Sequence, residues 1–190
     1  SRGVGPRRSH AFPDESTPTE LIFVEESGDA FGALRTTGGR AVTFPDLRWQ
    51  RCDIKTVNLL GNVLAAQAAK QAGAVEAVLI RADGTLSEGS RTSVFGVVGG
   101  KVRTAPQSPH ILPGVTRAFV VGMIRDLGLP LEEQAILRQE LPRLDELFLT
   151  GTTAEVLPIV RLDDQVIGTG QAGPITRQLQ TEFRRRVAAC

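Results

Sequence analysis

A chain of 190 residues, 41% of them hydrophobic, can bury one substantial core, or one core and part of another, and has the make-up of an ordinary globular protein. Its 22 Lys and Arg against 21 Asp and Glu leave a net charge of +1, which excludes the strong field that would hold nucleic acid or an anionic membrane surface. Cys52 and Cys190 form neither a metal-ligand set nor a disulfide framework, and no stretch has the apolar length of a membrane span or a signal-peptide core, so a soluble, cytoplasmic, metal-free protein is expected.

The first twenty residues are polar, carry Pro6, Pro13 and Pro18, and do not begin with Met, so they read as the middle of a longer product. Residues 21–25 and 40–44 are short β-branched and aromatic runs separated by Gly28, Gly32, Gly38 and Gly39, and both predict strands. Over residues 58–72 Leu59, Leu60, Val63, Leu64 and Ala68 recur at helical spacing in an Ala-rich segment closed by Gly73, which predicts a helix with a glycine cap. Residues 77–81, 94–98 and 102–104 predict a meander, with Asp83-Gly84 and Gly99-Gly100 as hairpin turns. Pro113-Gly114-Val115-Thr116 opens a helix to about residue 127, stopped by Gly128 and Pro130. Residues 146–150 predict a strand and residues 175–187 a closing helix, on which Arg184-Arg185-Arg186 form a solvated face. Strands mixed with separate helices indicate an α+β fold and not a parallel βαβ repeat.

Two imbalances narrow the chemistry. Lysine occurs only at Lys55, Lys70 and Lys101, and tyrosine is absent, so amine chemistry has few candidates and a phenol can play no part. Lys55 stands where extended chain meets the helix that starts near Asn58. A lysine nucleophile needs a fixed, partly desolvated position, because only the neutral amine attacks a carbonyl; a surface lysine beside a helix start is the competing reading. Glu88, in Leu86-Ser87-Glu88-Gly89-Ser90, falls by strand alternation on the face of Leu86. A buried carboxylate needs a cation or strong donors, and a protonated pyridine nitrogen is one such partner; an edge-strand glutamate pointing at water is the alternative. Gly114-Val115-Thr116 and Gly151-Thr152-Thr153 each offer small residues at a turn, the first with the free amides of a helix start, and together suggest a phosphate held by two loops. An ordinary structural cap is the competing reading of each. In Pro6-Arg7-Arg8-Ser9-His10 an arginine fork and an imidazole are suited to a carboxylate, against the alternative of a basic surface loop.

The ordered series Arg-Trp-x-Arg-Cys-Asp-Ile-Lys-x-x-Asn-Leu-Leu, Glu-Gly-Ser, Leu-x-Gly-x-Thr-Arg and Asp-Glu-Leu-Phe-x-Thr-x-Thr-x-x-Glu resembles the class IV, or fold type IV, pyridoxal-phosphate aminotransferases, in particular bacterial D-amino-acid transaminases, over essentially the whole chain. The resemblance implies the large domain of that fold with the N-terminal small domain largely missing: residues 1–45 a remnant of the small domain and interdomain region, residues 46–190 the cofactor domain. It implies transamination between a D-amino acid such as D-alanine and a 2-oxo acid, with pyridoxal 5'-phosphate bound covalently by Lys55. Glu88 then lies under the pyridine nitrogen and Leu112 on the ring, while Val115, Thr116, Gly151 and Thr152 hold the phosphate. Arg8, or Arg7, with His10 and Thr153 would bind the substrate carboxylate, the basic loop serving the other subunit of a homodimer. A branched-chain L-aminotransferase, an aminodeoxychorismate lyase and a catalytically incomplete fragment remain the alternatives. Gly151 stands where relatives carry serine, and Arg91 and Ser93 replace smaller or amide residues, so the substrate range does not carry over.

Overall fold

The computed structural model describes residues 10–15 and 17–189. In chain order it contains α1 (Gly32–Thr37), β1 (Gly39–Pro45), α2 (Leu60–Gln71), β2 (Glu76–Ile80), β3 (Leu86–Gly89), β4 (Ser93–Val98) and β5 (Lys101–Thr104). After these come α3 (Val115–Asp126), β6 (Leu131–Glu132), a 3-10 helix (Arg138–Arg143), β7 (Glu146–Gly151), β8 (Glu155–Leu162), β9 (Gln165–Val166) and α4 (Pro174–Val187). The strands form one mixed sheet in the order β3-β2-β1-β8-β7-β4-β5-β6, with β9 paired to β8.

The α+β expectation holds, with one local addition: β1, α2 and β2 make a single βαβ crossover, because β1 pairs with β2 in parallel. The expected meander is two separate hairpins. β2 and β3 form one at an edge of the sheet, β4 and β5 the other, and β1, β8 and β7 lie between them. Residues 21–25 are not a strand. They pair with nothing in the sheet, and Ile22 and Val24 are 91% and 95% exposed; an apolar run becomes a strand only where a neighbour takes its backbone groups. Conversely β8, in the middle of the sheet, carries Pro158 and reads poorly as a strand from sequence. It is accommodated because β1 pairs with β8 only from Ile159 onward, across a register irregularity.

Alternation along the strands builds two apolar layers. On β7, Leu147 and Leu149 enter a cluster with Val94, Leu157, Ile159 and the 3-10 helix residue Leu141. Phe148, between them, faces Val120, Met123 and Ile124 of α3 and Leu179 of α4. Its ring stacks on Phe95 at 5.0 Å, and each such fully buried side chain stabilises the fold by roughly 1.5–3 kcal/mol. A smaller cluster, Ala65 and Ala69 of α2 on Ala77 and Leu79, seats that helix over β2. Glycine at 73 closes the end of α2 with φ +66°, a conformation that costs other residues more.

Three buried polar links set the frame around the site. Glu146 accepts hydrogen bonds from the Ile175 and Thr176 amides at 3.0 and 2.8 Å and from Thr176 Oγ1 at 2.6 Å, which satisfies the first turn of α4 and docks it on β7. Glu76, 3% exposed, accepts from the Ala77 and Ser90 amides and from the hydroxyls of Ser90 and Thr92. Arg35 donates to the Thr153 carbonyl at 3.0 Å and pairs with Asp29 and Glu155, so the turn between β7 and β8 is tied to the residues just before α1.

Candidate active site

A cleft of about 470 Å³ opens where the loop between β1 and α2, the turn between β3 and β4, the start of α3 and the turn between β7 and β8 converge. Lys55 lines it. The other two lysines do not: Lys70 sits in the last turn of α2 and Lys101 pairs with Glu132 at 2.7 Å. The Lys55 loop is held by the Asp53 amide donating to the Pro109 carbonyl at 3.2 Å, by the Arg51–Asp53 ion pair and by Cys52, which is buried. The thiol of Cys52 is pushed above its ordinary range by that burial, so it is a packing group here and not a thiolate. Lys55 itself is exposed in this chain, whereas the sequence argument asked for a partly desolvated amine.

Glu88 is 4% exposed and reaches the cleft from β3. The alternation that suggested its inward position is not what buries it, since Ser87 on the opposite face is 3% exposed; both faces of this edge strand are covered. Glu88 Oε2 accepts from Arg48 Nη1 at 2.6 Å and from the Leu112 amide at 3.1 Å. Arg48 also grips Asp46 through Nε and Nη2 and donates to the His110 carbonyl, while Ser87 Oγ donates to Asp46 at 2.6 Å. One guanidinium thus spans two buried carboxylates. Burial pushes the Glu88 carboxyl above the usual carboxylate range even against Arg48. At Asp46 burial also acts upward, but the hydrogen bonds from Arg48 and Ser87 prevail and hold it below its ordinary value.

The two suspected phosphate loops are neighbours. A Cβ on Gly114 would lie 3.1 Å from Ser93 Oγ, Ser93 pairs with Thr150 across β4 and β7, and a Cβ on Gly151 would lie 3.5 Å from Thr92 Cγ2. No side chain caps α3, so its first amides are available at the cleft, where Val115 and Thr116 line the wall with Leu112, Gly151 and Thr152. Thr150, the first threonine of the Phe-x-Thr-x-Thr series and given no role by it, adds a hydroxyl: it lines the cleft, is 2% exposed, and its Oγ1 has no hydrogen-bond partner among the described residues. Thr153 stands outside the lining, with its carbonyl taken by Arg35. His10 is exposed and also outside it; Arg7 and Arg8 lie outside the described residues. Arg48 is a site residue that no sequence motif assigns, although a buried Glu88 demands a cation such as this one.

The sequence profile of the amino-transferase class IV family matches residues 1–162. The chain belongs to the class IV aminotransferases. It is 38% identical over 188 residues to a D-alanine aminotransferase of Staphylococcus haemolyticus, covering 98% of this chain and 66% of that protein. With a D-alanine aminotransferase of Bacillus licheniformis the identity is 43% over 189 residues, 98% of this chain and 65% of that protein. The chain therefore spans just under two thirds of the length of these relatives. Among solved structures, the branched-chain amino acid aminotransferase of Thermobaculum terrenum, in its PLP form, superposes with a TM-score of 0.72 at 33% identity over 80% of this chain and 52% of that one. The fold of this class IV chain is that of the large part of the fold type IV enzymes. Among the described residues no helix is long and apolar enough to cross a membrane.

Proposed function

We propose that this class IV chain is the cofactor-binding part of a pyridoxal-phosphate-dependent transaminase that moves an amino group between a D-amino acid, such as D-alanine, and a 2-oxo acid. The observation that carries the reading is the cleft in which the only lining lysine, Lys55, shares a wall with the buried Glu88 and a two-loop cradle. The residues fit the cofactor: a buried hydroxyl without a partner at Thr150, an uncapped helix start and small residues at Gly114 and Gly151 suit a phosphate. When bound, the cofactor supplies the electron sink that stabilises charge at the substrate α-carbon.

The remaining roles belong to the chain. Lys55 Nζ would hold the cofactor covalently and carry the proton that leaves the α-carbon. Glu88, desolvated and steadied by Arg48 and the Leu112 amide, would keep a ring nitrogen protonated. Leu112 would pack on the ring, and Val115, Thr116, Gly151 and Thr152 would hold the phosphate. Arg8 or Arg7, with His10 and Thr153, would select the substrate carboxylate across a homodimer. We place the protein in the cytoplasm. The proposed division, residues 1–45 a remnant of the small domain and interdomain region and residues 46–190 the cofactor domain, falls at the end of β1, which is paired on both edges.

Borohydride reduction of the full-length protein with pyridoxal phosphate, followed by peptide mapping, tests this: a pyridoxyl label is expected on Lys55 and lost in Lys55→Ala. A label on Lys70 or Lys101 overturns it. The branched-chain likeness of solved neighbours favours a second reading, an L-branched-chain aminotransferase. Turnover of L-leucine with none of D-alanine would put it first.

A further inference from the structure

We propose that Arg91 is an anion-binding residue of the cleft, taking an oxyanion, carboxylate or phosphate, of the molecule bound there. This rests on the transaminase reading for the identity of that molecule but not for the existence of the site. Four cationic residues line the cleft: Arg48, Lys55, Arg91 and Arg117. Arg48 is neutralised by Asp46 and Glu88. Arg117, 4% exposed, is engaged by Glu133 and the Ala105 carbonyl, and Lys55 is the amine the chemistry needs. Arg91 forms no ion pair among the described residues. Its guanidinium lies 5.3 Å from the centroid of the Phe31 ring, and a ring occupies one face of a guanidinium while leaving the in-plane N–H donors available.

Arg91 is exposed at the tip of its turn, but the backbone that carries it is fixed. On both sides of Arg91 the chain is pinned by the buried Glu76, which accepts from Ser90 N and Oγ and from Thr92 Oγ1. The Gly89 amide closes the turn on the Thr92 carbonyl at 2.7 Å, and Asn62 Nδ2 donates to the Ser90 carbonyl at 2.7 Å from α2. The shelf is equally fixed: Phe31 is 7% exposed in the main core and stands two residues from Asp29, which Arg35 holds. The backbone that carries Arg91 and the ring beside its guanidinium are thus set before any ligand arrives, which lowers the ordering cost of binding. The partnerless, buried Thr150 Oγ1 on the same cleft independently calls for a polar ligand.

Two oxyanions could meet Arg91: the cofactor phosphate, since Gly151 of the cradle abuts the Arg91 carbonyl, 3.8 Å from its Cβ position, or a substrate carboxylate, in which case a guanidinium from the chain's own cleft shares the task expected of Arg8 and His10. Full-length protein carrying Arg91→Gln or Arg91→Lys separates them. If the phosphate is the ligand, the Kd of pyridoxal phosphate rises about tenfold or more in Arg91→Gln, as loss of a charge-assisted contact does, while that of pyridoxal is unchanged. If the carboxylate is the ligand, cofactor Kd is unchanged and the KM for D-alanine and pyruvate rises about tenfold or more, with a smaller change in kcat. Lysine restores part of either loss. Titration of the cofactor-free protein with inorganic phosphate and with acetate, read as melting temperature, gives an arm independent of transamination: at least one ion stabilises the unsubstituted protein, and the effect is lost in Arg91→Gln. Kd, KM and ion stabilisation all within twofold of the unsubstituted protein would overturn the proposal. Failure of the transaminase reading shows separately, as absence of a pyridoxyl label on unsubstituted protein.

Discussion

Glu88 and Glu76 lie on paired strands, β3 and β2, are 4% and 3% exposed, and solve the same physical problem in different ways. Glu76 is surrounded by donors that belong to the fold, two amides and two hydroxyls, and does not line the cleft. Glu88 shares a guanidinium with Asp46, takes one amide, and reaches the cleft. Burial alone therefore does not mark a carboxylate as chemical. A carboxylate whose donors are all backbone amides and hydroxyls of the surrounding fold is a structural tie, whereas one held by a shared cation at a cavity wall has been kept available for something else.

The strongest way to break that contrast is Glu88→Gln. An amide can keep the Leu112 and Arg48 contacts, so the folded protein is expected to survive and still label at Lys55. Transamination should fall on the order of 10²-fold, because an amide does not hold a proton on a pyridine nitrogen; steady-state rates of the full-length protein measure it. Unchanged turnover would make Glu88 a tie like Glu76.

Glu76→Ala sharpens the other side. Removing the acceptor leaves the hydroxyls of Ser90 and Thr92 without their partner and the Ser90 amide with the Ala77 carbonyl alone, and the expected cost is roughly 2–4 kcal/mol, read from urea unfolding. Lys55 should still take the pyridoxyl label. Loss of labelling with stability unchanged would show that Glu76 belongs to the chemistry after all.

The smallest effect is expected far from both, at Glu182 on α4, where Arg185 and Arg186 hold the carboxyl at about 2 against an ordinary 4.5. A depressed folded value means the ionised form favours folding: the contribution is fully present above 4.5 and is lost as pH falls through about 2. Glu182→Gln should lower Tm slightly at neutral pH, and the difference from the unsubstituted protein should vanish near the lower value. Because Arg185 is solvent-exposed, added salt should also shrink the difference. A difference that persists at the acid end would place the effect in helix packing.

What the sequence determined by itself was local. The Ala-rich periodicity and Gly73 located α2, the Pro-Gly start located α3, and the scarcity of lysine singled out Lys55, because helix spacing, caps and residue counts depend on neighbours a few positions away. The turns at Gly114 and Gly151 were legible for the same reason, since a turn chemistry is written in three or four residues. The tertiary structure alone decided the rest. It put β8, with its proline, at the middle of the sheet and left residues 21–25 unpaired, because a strand exists only where a distant strand accepts its hydrogen bonds. It also brought Arg48 to Glu88 across 40 residues of sequence and Phe31 beneath Arg91, pairings that no period or spacing encodes, because the burial that makes them necessary arises only when remote segments close over the same cleft.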